Sequence, residues 1–126
     1  MTVSDLPEPF ANGYRDTWCG RVLSDRVDDE VRVAGWVNRR RDHGGLIFID
    51  LRDRTGIVQL VFHPDSSGES FERAHELRAE DVLTAAGTVV RRSPETVNPE
   101  LPTGEVELKV TSAERLADAE TPPFQV

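Results

Sequence analysis

The sequence predicts a mainly β domain: a closed barrel of five strands with one short helix between the third and the fourth. Three observations carry this. Residues 31–62 hold three short period-two segments separated by tight turns. The spacing then becomes helical over 69–79. Two further alternating segments follow at 82–91 and 105–115, divided by a long proline-containing loop. That order is the Greek-key barrel of the OB-fold, and an SH3-like barrel would lack the helix.

In the first strand, 31–41, Val31, Val33 and Val37 alternate with Arg32, Ala34 and Trp36. His43-Gly44-Gly45 supplies the turn. The second strand spans 46–53 and the third 57–62, joined through Thr55-Gly56. Pro64 to Gly68 reads as a loop. Phe71, Ala74, His75 and Leu77-Arg78 then mark one face of a helix over 69–79. The fourth strand, 82–91, contains Gly87, which predicts a bulge or bend. Pro94, Asn98, Pro99 and Pro102 make 92–103 a loop. In the fifth strand, 105–115, Val106, Leu108 and Val110 alternate with Glu105, Glu107 and Lys109. Residues 1–17 read as an N-terminal arm, 18–115 as the barrel domain with a turn of helix within 17–30, and 116–126, ending TPPFQV, as the start of a linker.

The 126 residues, 37% hydrophobic and 30% charged, suit one small domain with a single core. No apolar run approaches the ~20 residues of a membrane span, and the N-terminal segment lacks the basic and apolar regions of a signal peptide. The single cysteine, Cys19, excludes an internal disulfide and a cysteine-built metal site. A reducing cytoplasm is the expected location, with no membrane partner. Beside Gly20, Cys19 is expected to be a small packed residue rather than a nucleophile. His43, His63 and His75 lack ligand partners at metal spacing, and no glycine-rich phosphate loop follows a strand. The chain is therefore expected to bind rather than catalyse, and to carry no metal or cofactor of its own.

The formal charge is −8, yet Arg32, Arg39, Arg40, Arg41, Arg52 and Arg54 crowd residues 32–54. A local basic patch on an acidic body can engage a polyanion while general adhesion to nucleic acid stays low. Arg39, Arg40, Arg52 and Arg54 are the candidate phosphate contacts. Asp42, Asp50 and Asp53 compete for the same guanidinium groups. The bland alternative is a strand edge protected by charge.

Strand parity sharpens the picture. Ile47, Ile49 and Leu51 share one face, and Leu46, Phe48 and Asp50 the other. Phe48 is expected on the outer face, unless the helix or a loop covers it as ordinary core. In the third strand Val58, Leu60 and Phe62 form the apolar set and Gln59 centres the opposite one; its bland reading is plain surface polarity. An outward aromatic ring offers an unpaired base a stacking surface worth roughly 1–3 kcal/mol. An amide can donate to and accept from a base edge, and arginines hold phosphates and stack.

The stretch GWVNRRRDHGGLIFIDLRDRTGIVQLVF, residues 35–62, closely resembles the N-terminal anticodon-binding domain of bacterial aspartyl-tRNA synthetases. FHPD at 62–65, HELRAEDV at 75–82, GTV at 87–89, NPELPTGEVEL at 98–108 and the terminal PPFQV extend the resemblance over residues 18–126, whereas 1–17 match nothing in the family. The resemblance implies that Phe48 stacks on the middle anticodon base, a uridine, and that Gln59 hydrogen-bonds it. It implies that Arg41, Asn98 and Arg92 contact the anticodon and that Glu107 helps to read the third base. It also singles out His43: members that charge both aspartate and asparagine tRNAs tend to carry histidine there, and discriminating ones often leucine. The implied partner is tRNA. The implied whole protein is a homodimeric ligase that uses ATP and magnesium in a catalytic domain outside this chain. The residues alone leave a second class open: a free-standing OB module that binds single-stranded nucleic acid or a protein.

Overall fold

The computed structural model describes residues 15–117. Five strands close a barrel in the order β1-β2-β3-β5-β4. They are β1 (Glu30–His43), β2 (Leu46–Asp53), β3 (Gly56–Phe62), β4 (Val82–Arg91) and β5 (Val106–Ala117), with helix α1 (Glu69–Ala74) between β3 and β4. Every pairing is antiparallel except β3 with β5, where Leu60 opposes Leu108 and Val61 opposes Lys109. The expected five-stranded OB barrel is thus the observed one. Residues 1–14 of the expected arm and 118–126 of the expected linker lie outside the described residues.

The core follows the expected parity. Val33, Val37, Ile49, Leu51, Val58, Leu60, Phe62 and Leu108 are all fully buried and pack in one cluster. At fixed period two, each strand delivers alternate side chains to that cluster and the rest to the outer surface. Cys19 lies in the same cluster, in one of two short 3-10 turns (Cys19–Arg21 and Ser24–Arg26) that occupy the expected helical turn. Its thiol pKa is pushed up, chiefly by burial, as suits a packed residue.

One departure from alternation decides what the outer face carries. Val37 pairs with Leu51 and Arg39 with Asp50, so Asn38 is an extra residue, a β-bulge. Unbroken alternation from inward Val37 would turn Arg39 and Arg41 inward and Arg40 outward. The bulge reverses this. Arg39 and Arg41 stand opposite Asp50 and Phe48 on the outer face, whereas Arg40 stands opposite buried Ile49 and turns toward the barrel end. There its guanidinium chelates Asp42, with Nε and Nη2 each 2.9 Å from a carboxylate oxygen. Its Nη1 donates to the His75 and Leu77 carbonyls at 2.6 and 3.3 Å.

Those two contacts account for a shortened helix. The helix expected over 69–79 ends at Ala74. Glu76 and Leu77 donate to residues three back, Arg73 and Ala74, which tightens the chain. Arg40 supplies a donor to the His75 carbonyl, which a helix through residue 79 would have satisfied internally, and reaches the Leu77 carbonyl as well. At Gly87 the expected irregularity is present, but the extra residue is Thr111 on β5, between the pairs Ala86–Ser112 and Gly87–Val110. A Cβ at Gly87 would strike the Lys109 carbonyl oxygen, so glycine lets the two backbones meet.

Candidate nucleic-acid interface

The outer face of β1, β2 and β3 gathers the singled-out side chains. Arg41 opposes Phe48, and Asp50 opposes Gln59. The Arg41 guanidinium lies over the Phe48 ring, 5.7 Å from its centroid. Its Nη2 donates to Gln59 Oε1 at 2.7 Å and to Asp50 Oδ1 at 3.3 Å. Gln59 Nε2 donates to Glu107 Oε1 at 2.9 Å, bringing in β5. Phe48 is half-buried and outside the core cluster, as parity predicted. Gln59 is no plain surface residue: it is 2% exposed, and both ends of its amide are engaged.

Two adjoining cavities open here. One, of about 320 Å³, is lined by Arg41, Asp42, His43, Phe48, Gln59 and Thr96. The other, of about 290 Å³, shares Arg41, Gln59 and Thr96 and adds Arg39, Asp50, Arg92, Glu95, Asn98 and Leu101. Both lie near the lower end of the ~300–1,000 Å³ usual for small-ligand sites, a scale suited to single bases rather than a duplex. A larger cavity, about 510 Å³, sits between α1 and β5 and includes none of the expected residues.

The remaining candidates divide. His43 ends β1 and is exposed beside Gly44 and Gly45, whose φ of 62° and 81° make the tight hairpin turn. Arg39 and Arg52 are exposed on the outer face, with Arg52 opposite Trp36. Arg54 lies six residues beyond Phe48, roughly 20 Å at ordinary strand rise, with its guanidinium 6.0 Å from the Trp18 ring. Arg40 is committed to Asp42 and the chain after α1, which corrects the expectation that it stands ready for phosphate. Arg92 is 8% exposed; its Nε donates to the Val106 carbonyl and its Nη1 to the Thr96 carbonyl, so it braces the loop above the site. Asn98 shapes the same loop, its Oδ1 accepting from the Glu100 N–H at 3.0 Å. Asp50 lines the site and pairs with Arg41, as the expected competition for guanidinium groups allows, whereas Thr96 lines it although sequence reasoning gave it no role there. Asp50 lies two residues from Phe48 on the same face, a parity signal, whereas only the folded loop brings Thr96 across.

Among the described residues of this face, two buried nitrogen donors have no partner: Arg41 Nε and Arg92 Nη2. A buried unpaired donor carries a desolvation penalty that an incoming acceptor would relieve. Burial lowers the Arg92 pKa, against the charges of Glu107 and Asp50. Burial likewise raises the Glu107 pKa, against the hydrogen bond from Gln59 and the charges of Arg92 and His63. A raised acid means that the folded state holds the proton more tightly than the unfolded chain. The stability from this group is therefore complete below the ordinary glutamate range and is lost as pH rises through Glu107's elevated value. Glu107→Gln is expected to raise the thermal midpoint at neutral pH and to flatten that acid-side slope. Melting both proteins across mildly acidic to neutral pH tests this, and identical slopes would refute it.

Among the described residues, no three His, Cys, Asp or Glu side chains are grouped to hold a metal ion. Nor, among those residues, is any helix long and apolar enough to cross a membrane.

A family model described as an OB-fold nucleic acid binding domain matches residues 31–116. An aspartate–tRNA(Asp/Asn) ligase of Thermoanaerobacter sp. (strain X514) is 53% identical over 116 residues, covering 91% of this chain and 20% of that protein. An aspartate–tRNA ligase of Staphylococcus aureus (strain Newman) is 51% identical over 112 residues, covering 89% and 19%. Among solved structures, asparaginyl-tRNA synthetase from Pyrococcus horikoshii, complexed with asparaginyl-adenylate, superposes with a TM-score of 0.70 at 33% identity, over 84% of this chain and 23% of that one. The chain spans about a fifth of the length of the curated relatives it matches.

Proposed function

The chain belongs to the OB-fold nucleic acid binding domain family, and from that premise we propose that it reads the anticodon for an aspartate–tRNA ligase. The observation that carries the reading is the constellation Arg41–Phe48–Gln59–Glu107 beside two base-sized cavities. A ring for stacking, an amide for a base edge and guanidinium groups for phosphate are what single-stranded RNA requires. In this reading Phe48 and Gln59 take the middle anticodon base, and Arg41, Arg92, Asn98 and Glu107 surround the anticodon. Residues 18–115 form the binding domain, flanked by an arm and a linker. ATP- and magnesium-dependent aspartylation belongs to the rest of a cytoplasmic, homodimeric enzyme. The direct test is titration of the chain with the anticodon stem-loop of aspartate tRNA against one of unrelated anticodon; equal affinity for both defeats the proposal.

Salt should report which arginines meet phosphate. Binding is expected to weaken as salt rises, and Arg39→Ala and Arg52→Ala should each reduce the log–log slope by about 1. Arg40→Ala should leave the slope unchanged and lower stability instead, because its donors serve the fold. Fluorescence titrations at several salt concentrations measure this. A flat slope in the unmodified chain would exclude phosphate-dominated contact.

The finer specificity follows His43. It lines the cavity of Phe48 and Gln59, and an imidazole can donate or accept, which suits either pyrimidine edge. Five relatives, 47–53% identical, are named as ligases for both aspartate and asparagine tRNAs. The chain is expected to bind the two stem-loops comparably. His43→Leu should weaken the asparagine loop by roughly fivefold or more, the low end for one specific base contact. A strong preference for the aspartate loop that the substitution leaves unchanged would make His43 only a turn residue.

A further inference from the structure

The turn between β1 and β2 stands clear of the barrel: a Cβ at Gly44 or Gly45 would meet nothing within 4 Å. The ladder with β2 ends at the pair His43–Leu46. A hairpin tip with so few contacts opens easily unless something else holds it. Yet Asp42 and His43 of that tip line the cavity of Phe48 and Gln59, where a wall has to stay in place. Among the described residues, Asp42 is the one member of 42–45 with a bonded side chain, and its hydrogen-bond partner is Arg40. The Arg40 guanidinium divides its nitrogens between two elements. Nε and Nη2 take the two Asp42 oxygens, each at 2.9 Å. Nη1 donates to the carbonyls of His75 and Leu77. Both of those residues are anchored. Leu77 belongs to the core cluster. The His75 ring meets Phe71 edge-on, with centroids 5.0 Å apart, and its Nδ1 lies 3.0 Å from the Phe71 carbonyl oxygen. Phe71 in turn packs against the core. A rigid planar fork can hold a carboxylate and two carbonyls at fixed angles, whereas an ammonium group is a single point of charge.

We propose that Arg40 is a positioning residue for RNA: through Asp42 it fastens the hairpin tip to the core, and so holds the His43 wall of the base cavity without meeting RNA itself. This rests on the reading that the cavity takes an unpaired base. The clamp predicts an effect opposite in sign to simple electrostatics. Asp42 places a carboxylate on a face that meets a polyanion, so by charge alone its removal should strengthen binding. With the carboxylate as the handle that Arg40 grips, its removal loosens the wall and binding weakens. The hydrogen bonds from Arg40 hold the Asp42 carboxyl below the usual carboxylate range, so the clamp stays closed through neutral and mildly acidic pH. The ion pair is partly exposed, and such pairs add little to global stability, so opening it acts on the hairpin more than on the fold.

The test compares the unmodified 126-residue chain with three variants. Asp42→Ala opens the clamp and leaves the Arg40 contacts with the His75 and Leu77 carbonyls in place. Arg40→Lys keeps the charge and loses the fork. Asp42→Glu keeps a carboxylate for the fork to grip. Amide hydrogen exchange over residues 42–46 reads the hairpin directly, with β3 and β5 as the internal reference. Exchange at 42–46 should quicken several-fold in Asp42→Ala and Arg40→Lys and stay unchanged in β3 and β5. Titration with the aspartate anticodon stem-loop, at salt high enough to screen the altered charge, should show both variants weakened roughly two- to tenfold, the cost of ordering one or two side chains on binding. Asp42→Glu should retain most of the affinity. Unchanged exchange in both Asp42→Ala and Arg40→Lys overturns the clamp. Faster exchange with affinity equal to or above that of the unmodified chain makes the pair purely structural and overturns its role in binding. Full retention of both readouts in Arg40→Lys overturns the fork in favour of charge alone. No preference of the unmodified chain for the aspartate loop over an unrelated one overturns the base-reading assignment and the positioning role together.

Discussion

Phe48→Ala is expected to weaken binding of the aspartate anticodon stem-loop roughly 5- to 150-fold, the equivalent of the ~1–3 kcal/mol of one stacked base, and to leave the barrel folded. The ring lies outside the core cluster, half-buried on the outer face, so its removal leaves no interior cavity. What the fold itself loses is the contact with the Arg41 guanidinium, centred 5.7 Å away, worth about 0.5–1 kcal/mol at an exposed site. Phe48→Tyr keeps the stacking surface and should bind within a few-fold of the unmodified chain. Anisotropy titration and thermal melting, run on the same preparations, separate the two effects. If stability falls as far as binding does, Phe48 is a packing residue and the site has lost its platform.

The largest loss of stability is expected far from that face, at Asp53. Its carboxylate is 7% exposed and accepts three hydrogen bonds: from the Cys19 N–H at 2.7 Å, the Thr55 N–H at 2.8 Å and the Thr55 hydroxyl at 2.6 Å. It thereby ties the segment at Cys19 to the end of β2 and the turn into β3. Gly20 closes the same joint, its N–H donating to the Thr55 hydroxyl at 2.7 Å. Asp53→Ala leaves a buried N–H unpaired and loosens the turn. A cost of about 3 kcal/mol follows from charge-assisted bonds at 1.5–3 kcal/mol each with partial relaxation, or roughly 10 °C or more in melting midpoint for a domain of this size. Asp53→Asn retains one acceptor oxygen and should lose markedly less. Binding of the stem-loop, measured well below the midpoint, should change little in either variant. A melting midpoint within about 2 °C of the unmodified chain would show that water replaces the carboxylate.

The inward rows of β2 and β3 were legible because their alternation is unbroken: Ile47, Ile49 and Leu51 face in, and Phe48 therefore faces out. The roles within the arginine run were not. Asn38 looks like any strand residue, and nothing local announces that it is the extra one, so which of Arg39, Arg40 and Arg41 faces out depends on pairing with β2. The early end of α1 was hidden for a related reason. The spacing of Phe71, Ala74 and Leu77 satisfies a helix, but carbonyl acceptors after Ala74 are taken by a side chain some 35 positions earlier. Gln59 was placed on the correct face and mistaken in exposure, because the partners that bury and orient it come from β1 and β5. Arg92 was recognised as part of the site's neighbourhood; that it acts through the Thr96 and Val106 carbonyls depends on a loop whose path no periodicity encodes.

The unpaired Asn38 also bears on how this chain should be compared with others. The ladder absorbs one surplus residue locally and passes no shift to its neighbours. A relative one residue shorter in this strand keeps the same faces if it lacks the counterpart of Asn38. An alignment that opens the gap in the His43-Gly44-Gly45 turn instead slides each arginine by one place. Because the run is Arg39-Arg40-Arg41, two of the three columns still match arginine with arginine, and identity barely registers the error. Yet an arginine of the outer face, proposed here to meet RNA, would then be equated with one that seals the end of the barrel. Gap placement, more than percentage identity, governs whether a function can be transferred along this strand.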